Sequence, residues 1–300
     1  MSNNLTDTIA GTLLGKKIEG CDFYNPDFLV AIPRSENRRQ YKIDENSLPF
    51  LGYDVWHSYE FSAMTKNSVP VTRVLKIVYP SDSKYIVESK SLKLYLNSFN
   101  MMRFGDTVSE CLHICKETIE NDLSLKLNTT VRIDFLDLSC PKADIWGDAV
   151  NIMHCVDQAN LVIDTFKENS QLLEVEIISD EKEYFYCFDS LRSNCRVTHQ
   201  PDFGDVFIYY KSSTHIKEDS LIKYLTSFRS EYHFHEECCE MIYKRLYDLL
   251  GPTANLGVFA LYTRRGGIDI SPCRWSHYCT FGDVDKITDT KIYARYGIKQ

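Results

Sequence analysis

The segments SLKLYLNSFNMMRF at 91–104 and SLIKYLTSFRSEYHF at 220–234 carry one pattern twice: Ser-Leu, Tyr-Leu, Ser-Phe and a following Phe, with one residue inserted before that Phe in the second copy. Leu92, Tyr95, Leu96 and Phe99 fall at i, i+3, i+4 and i+7, as do Leu221, Tyr224, Leu225 and Phe228, so each copy predicts a helix with one apolar stripe. Convergent amphipathicity would account for the period but not for the matched Ser-Phe pairs, nor for the similar elements beyond each copy. A second helix is predicted after each. One opens at Thr107 with Glu110 three residues on, a capping-box pattern, and carries Val108, Cys111, Cys115 and Ile119 on one side. The other runs from about Glu236 to Leu250, with Met241, Ile242, Leu246 and Leu249 inward and Gly251 as its stop. Strand-like segments bracket both pairs: VLKIVYP from 74 and TVRIDFLDL from 130, then DVFIYY from 205 and LGVFALY from 256. The expected class is α+β, two diverged copies of a unit of strands, two helices and strands with antiparallel pairing. Mixed signals after Leu138 place the division there, as 1–150 and 151–300.

Composition agrees with a globular protein of this size, since 300 residues at 44% hydrophobic and 25% charged can bury one large core or two ordinary ones. The start, MSNNLTDTIAGTLLGKK, lacks the basic opening and apolar run of a signal peptide, and no run approaches the ~20 apolar residues of a membrane helix. A cytoplasmic protein without a membrane partner is expected. The 11 cysteines include no C-x-x-C pair, which signals free thiols in a reducing compartment and leaves the Asn4 and Asn128 sequons without meaning. A net charge of -8 argues against nucleic acid as a direct ligand.

The two halves do not carry the same polar residues. In SLRSNCRVTHQPDFGD at 190–205, Cys195 stands among Ser193, Asn194 and Arg196, whereas a structural cysteine sits among apolar neighbours. Asp202 follows in a Pro-Asp-x-Gly sequence that reads as a tight turn. Cys195 and the FHEECCE segment with His235 and Glu236 belong to the second half alone; VESKSLK with Glu88, Lys90 and Lys93 belongs to the first. Complementary chemistry on diverged copies points to a composite site at the seam between them. Taken singly, Asp202 is a turn aspartate, Glu88 and Glu236 are helix-dipole partners, His235 is a solvated helix residue and the cations are surface charge.

ESKSLKLYLNSF, SNCRVTHQPDFG, FHEECCE and YTRRGGIDISPCR, in this order and spacing, resemble the nitrile reductases that convert 7-cyano-7-deazaguanine to 7-aminomethyl-7-deazaguanine on the way to queuosine in transfer RNA. The similarity is to the longer, two-domain type and extends to IPRSENR and LPFLGYDVWHSYE. It implies tandem tunnelling-fold halves, each an antiparallel sheet with two helices on one face, and assembly as a homodimer. It implies Cys195 as the nucleophile that adds to the nitrile carbon to form a thioimide, and Asp202 as the acid that protonates the nitrile nitrogen. Substrate binding of the free base falls to Val87, Glu88, Ser89, His235 and Glu236, the carboxylates accepting from guanine-like N–H donors. NADPH falls to Ser89, Lys90, Arg265 and Gly266, with Lys93 and Arg264 as nearby cations; no G-x-G-x-x-G follows any strand, so no Rossmann domain is encoded.

The nearest rival enzyme is a tunnelling-fold relative acting on a pterin or GTP, such as a zinc-dependent cyclohydrolase. His233, His235, Cys238 and Cys239 have ligand-like spacing, but a third ligand in one geometry is not evident and no metal is expected. The rival of another class is a non-catalytic purine-binding module, against which Cys195 and Asp202 both stand. Cys238, on a helix beside His235, is expected to reach Cys195 as a reversible oxidative disulfide, with Cys239 as fallback and buried core thiols as the plain alternative.

Overall fold

The computed structural model describes residues 23–295; the start read for a signal peptide and the Asn4 sequon lie outside them. In chain order its elements are β1 (Ala31–Pro33), α1 (Ser35–Gln40), β2 (Leu51–Met64), β3 (Pro70–Pro80), β4 (Tyr85–Val87), α2 (Ser89–Asn97), α3 (Val108–Leu127) and β5 (Arg132–Leu136). They continue as β6 (Val150–Asn151), β7 (Val175–Asn194), β8 (Pro201–Ile216), α4 (Glu218–Thr226), α5 (His235–Leu250), β9 (Asn255–Tyr262), β10 (Ile268–Trp275) and α6 (Val284–Thr288). Among the described residues one sheet runs β5-β3-β2-β10-β9-β8-β7-β6, antiparallel except where β6 meets β7, and β1 pairs with β4 separately. The two halves of the chain join inside this sheet, where β10 pairs with β2 from Ile268↔Ser58 to Trp275↔Leu51.

Strand alternation sorts side chains between two faces. Trp56, Ile77, Ile208, Val258 and Ile270 point to the helices, while Val55, Val78, Phe207, Phe259 and Cys273 point the other way. The repeated stripes do what their spacing predicts: Leu92, Tyr95 and Phe99 with Cys111 and Ile119 seal one core, and Leu221, Tyr224 and Phe228 with Met241 and Leu246 seal another. Leu249 is only half-buried. The capping box of Thr107 and Glu110 is formed, and α3 ends on Asn128 at φ 52, so the second sequon is a left-handed helix cap. Gly251 at φ 93 ends α5.

The opposite face is covered by the stretches without readable signals. Trp146, Ile287 and Ala294 pack on Phe207, Phe259 and Cys273. Lys76, buried in this face, donates to the carbonyls of Ile287, Asp289 and Ile292 at 2.8, 2.8 and 2.7 Å, which pins the tail across the strands. No helix among the described residues is long and apolar enough to cross a membrane.

One expectation is corrected by the strand pairing. Pro201-Asp202-Phe203-Gly204 is not a turn but the start of β8, paired with Asn194, Ser193, Arg192 and Leu191. Proline suits the first residue of a strand, where its missing N–H is not needed. Gly204 fits a close approach, since a Cβ there would lie 3.2 Å from Tyr262 Cα on β9 and push the strands apart by a few tenths of an ångström.

Candidate active site

The turn that carries the thiol is only the six residues 195–200, and it closes on itself: Cys195 N donates to Gln200 O at 2.8 Å and His199 N to Cys195 O at 3.0 Å. Its polar neighbours turn out to be fasteners. Asn194 Nδ2 donates to Arg229 O at 3.0 Å and to Glu231 O at 3.2 Å. Arg196 grips both oxygens of Glu237 at 3.0 and 3.2 Å, while Glu237 accepts from Phe234 N at 3.0 Å at the start of α5. The thiol turn is therefore bolted to the helix start that carries His235 and Glu236.

His235 stacks on Tyr262 with centroids 3.8 Å apart and planes within 6°, which aims its Nε2 to 3.4 Å from Asp202 Oδ2. The other Asp202 oxygen pairs with the Arg265 guanidinium, whose second amino group donates to Gln200 Oε1 at 2.7 Å. Asp202 is buried, and burial alone would raise its pKa; the His235 hydrogen bond and the Arg265 charge outweigh that and hold it below the usual carboxylate range. Asp202 is thus ionised at rest, and a role in protonating the nitrile nitrogen requires that it first take up a proton.

Glu88 caps α2, accepting from Lys90 N at 2.9 Å and Ser91 N at 2.7 Å. Burial raises its pKa despite those bonds. Glu236, in the first turn of α5, is 2% exposed, its Oε1 has no partner, and burial together with nearby Asp54 pushes it up to about 8. An acceptor buried without a donor is costly unless a ligand supplies one.

Every site residue expected from the sequence lines one cavity of about 230 Å³: Val87, Glu88, Ser89 and Lys90 from the first half, and Cys195, Asp202, His235, Glu236, Arg265 and Gly266 from the second. Trp56, Ile268 and Ile270 supply apolar wall. Such a volume suits one small base and leaves a dinucleotide to lie along the mouth. There Lys90 and Arg265 are exposed, a cationic rim on an acidic chain, which fits a phosphate-bearing cofactor; Arg264 is exposed too but lies outside the lining.

The other side chains singled out in the sequence have structural places as well. Cys238 and Cys239 are buried in the helix-side core and outside the cavity lining, and burial pushes the Cys238 thiol up to about 12, as the plain alternative of core thiols has it. His233 is engaged by Glu231 and Glu237, whose hydrogen bonds overcome burial and raise it to about 9. Among the described residues no three His, Cys, Asp or Glu side chains gather as a metal site. Lys93 reaches the cavity but is tied to Glu60 and to Gly266 O.

Sequence reasoning missed a buried ionic cluster behind Glu236. Glu240, one helical turn along α5, binds Arg38 at 2.8 Å and Arg274 at 2.8 Å; Arg274 also binds Asp54 at 2.9 Å, and Arg34 pairs with Asp54. Burial opposes the charge on Glu240, but Arg38 and Arg274 prevail and hold it down at about 2. The i, i+4 spacing of Glu236 and Glu240 was the available signal; their partners stand far off in the chain.

A family model described as the N-terminal part of nitrile reductase, 7-cyano-7-deazaguanine reductase, matches residues 21–135, and one described as QueF-like protein matches residues 201–279. Cys195 lies between the two matched ranges. The NADPH-dependent 7-cyano-7-deazaguanine reductase of Colwellia psychrerythraea is 37% identical over 268 residues, spanning 88% of this chain and 91% of that relative.

Proposed function

The chain belongs to the 7-cyano-7-deazaguanine reductase family, and on that premise we propose that it reduces the nitrile of 7-cyano-7-deazaguanine to the 7-aminomethyl base with NADPH, an oxidoreductase step toward queuosine. One observation carries the reading: a thiol, an aspartate–histidine pair and two buried carboxylates, drawn from both halves, face a single base-sized cavity.

The guanine-like edge carries ring N–H and amino donors, and the unpartnered Glu236 Oε1 is the acceptor that lacks one. Glu88 accepts from Lys90 N and the Ser89 hydroxyl at Oε1 but only from Ser91 N at Oε2, which keeps a lone pair for the base. With the base so held, Cys195 adds to the nitrile carbon: a C–S bond forms and one C–N π bond breaks. Ionised Asp202 takes the thiol proton and passes it to the nitrile nitrogen, so the donor role arises within the reaction and not before it. His235 holds the carboxylate for that exchange. NADPH, when bound along the mouth by Lys90 and Arg265, supplies hydride, two equivalents for a four-electron reduction. The first hydride would open the thioimide C=N bond while the nitrogen takes up a proton; the C=N bond re-forms as the C–S bond breaks and Cys195 leaves as thiolate, and the second hydride with a further proton would give the amine.

Intact-mass measurement after incubation with 7-cyano-7-deazaguanine alone tests this. The expected result is a gain equal to the mass of the nitrile, absent in Cys195→Ala; an undiminished adduct in that variant would sink the mechanism. On the same reading, 1–150 and 151–300 are tandem tunnelling-fold units, supported by the twofold helix pairs on an antiparallel sheet, and the chain works in the cytoplasm as a homodimer. Sedimentation velocity tests the dimer.

A further inference from the structure

Arg265 stands on a two-residue hairpin turn. Arg265 N donates to Ile268 O at 2.9 Å and Ile268 N to Arg265 O at 3.1 Å, with Gly266 at φ 57 and Gly267 at φ 84 between them, as a primed turn requires. The turn belongs to the second half, but its seat belongs to the first. Lys93 on α2 donates to Gly266 O at 2.5 Å and to Glu60 Oε2 at 3.3 Å, and Tyr59 N donates to Gly267 O at 2.8 Å. A Cβ on Gly267 would collide with Glu60 Cδ, so the turn sits directly on that carboxylate. Arg264 is laid over the Tyr59 ring at 4.8 Å, on the same strand as Glu60.

We infer that Glu60 and Lys93 are positioning residues: their pair seats the 265–268 turn so that Arg265 is presented to a cofactor phosphate at the cavity mouth. The inference rests on the reading of Arg265 as a cofactor contact. Lys93 resembles a phosphate ligand in the sequence, yet its ammonium is held by a carboxylate and a carbonyl, and it acts through the turn. The sign of the effect at Glu60 separates the two roles. If charge alone mattered, removing an exposed carboxylate beside an anionic cofactor would tighten binding. If Glu60 seats the turn, removing it weakens binding.

The test is steady-state kinetics on the full chain for Glu60→Gln, Lys93→Met, Lys93→Arg, the Glu60→Gln/Lys93→Met double variant and Arg265→Ala. An exposed ion pair is worth little, so the KM for NADPH is expected to rise about two- to fivefold in each of Glu60→Gln and Lys93→Met. The double variant should be no worse than the more affected single, because both remove one seat. Lys93→Arg, which keeps a donor, should restore most of the loss, and Glu60→Gln should leave the KM for the nitrile unchanged. A KM for NADPH that falls or stays put in Glu60→Gln, or single effects that multiply in the double variant, would overturn the positioning role while a raised KM in Arg265→Ala leaves the cofactor reading standing. An Arg265→Ala chain with unaltered KM for NADPH would overturn the cofactor reading itself.

Discussion

Glu236 is the residue whose charge state should be felt most directly. Its carboxyl, raised to about 8 by burial beside Asp54, is largely protonated at neutral pH, whereas accepting two donors from a base edge favours the ionised form. Binding below that pKa must therefore expel a proton, and affinity should fall by up to about tenfold for each pH unit lost. In Cys195→Ala, which cannot form the covalent bond, calorimetry from roughly pH 6 to 9 should show the nitrile Kd falling as pH rises and levelling above about 8. A flat profile would remove Glu236 from recognition. Asp202→Asn should slow adduct formation in a mass-detected time course yet spare reversible binding, because the carboxylate relays a proton and does not hold the base; equal loss of both would contradict the relay. The identity of these residues was legible in the motifs. Their protonation was not, since Asp202 is held ionised against burial by His235 and then by Arg265, both outside β8.

At the scale of the element, the helices were readable because a stripe at 3.6-residue spacing is a local property, and both copies bury theirs as the pattern requires. Leu221→Ala should cost about 2–5 kcal/mol in urea unfolding, since its side chain is fully enclosed beneath α4. Loss of the formed cap in Thr107→Ala should cost about 1 kcal/mol, a difference that the same assay resolves. Strands fared less evenly. β10 hid behind Asp269, Pro272 and Arg274, residues unsuited to a central strand, and it is admitted there because β9 pairs with it only from Cys273 onward and the charges find buried partners. β7 was obscured by its charges and by two register shifts.

For the molecule as a whole, the buried cluster fastens the halves together. Arg34, Arg38 and Asp54 come from one, Glu240 and Arg274 from the other, and all are at most 5% exposed. Glu240→Gln leaves Arg38 and Arg274 without their shared carboxylate and should cost about 3–5 kcal/mol of stability by denaturant titration; a loss under about 1 kcal/mol would show that the cluster is not a joint. Because the cavity takes Glu88 from one half and Cys195 from the other, residues 1–150 or 170–300 alone should give no amine product in a coupled assay.

By itself the sequence determined the helix stripes, the caps and the set of polar side chains that meet in one cavity, because periodicity and residue chemistry are carried by neighbours along the chain. Only the tertiary structure decided that Pro201–Gly204 is strand, that Asp202 rests ionised, that Cys238 is core, that Lys93 holds a turn, and that a tail without readable signal covers the second face of the sheet. Each of those depends on burial or on a partner distant in sequence, and neither is set by the residues on either side.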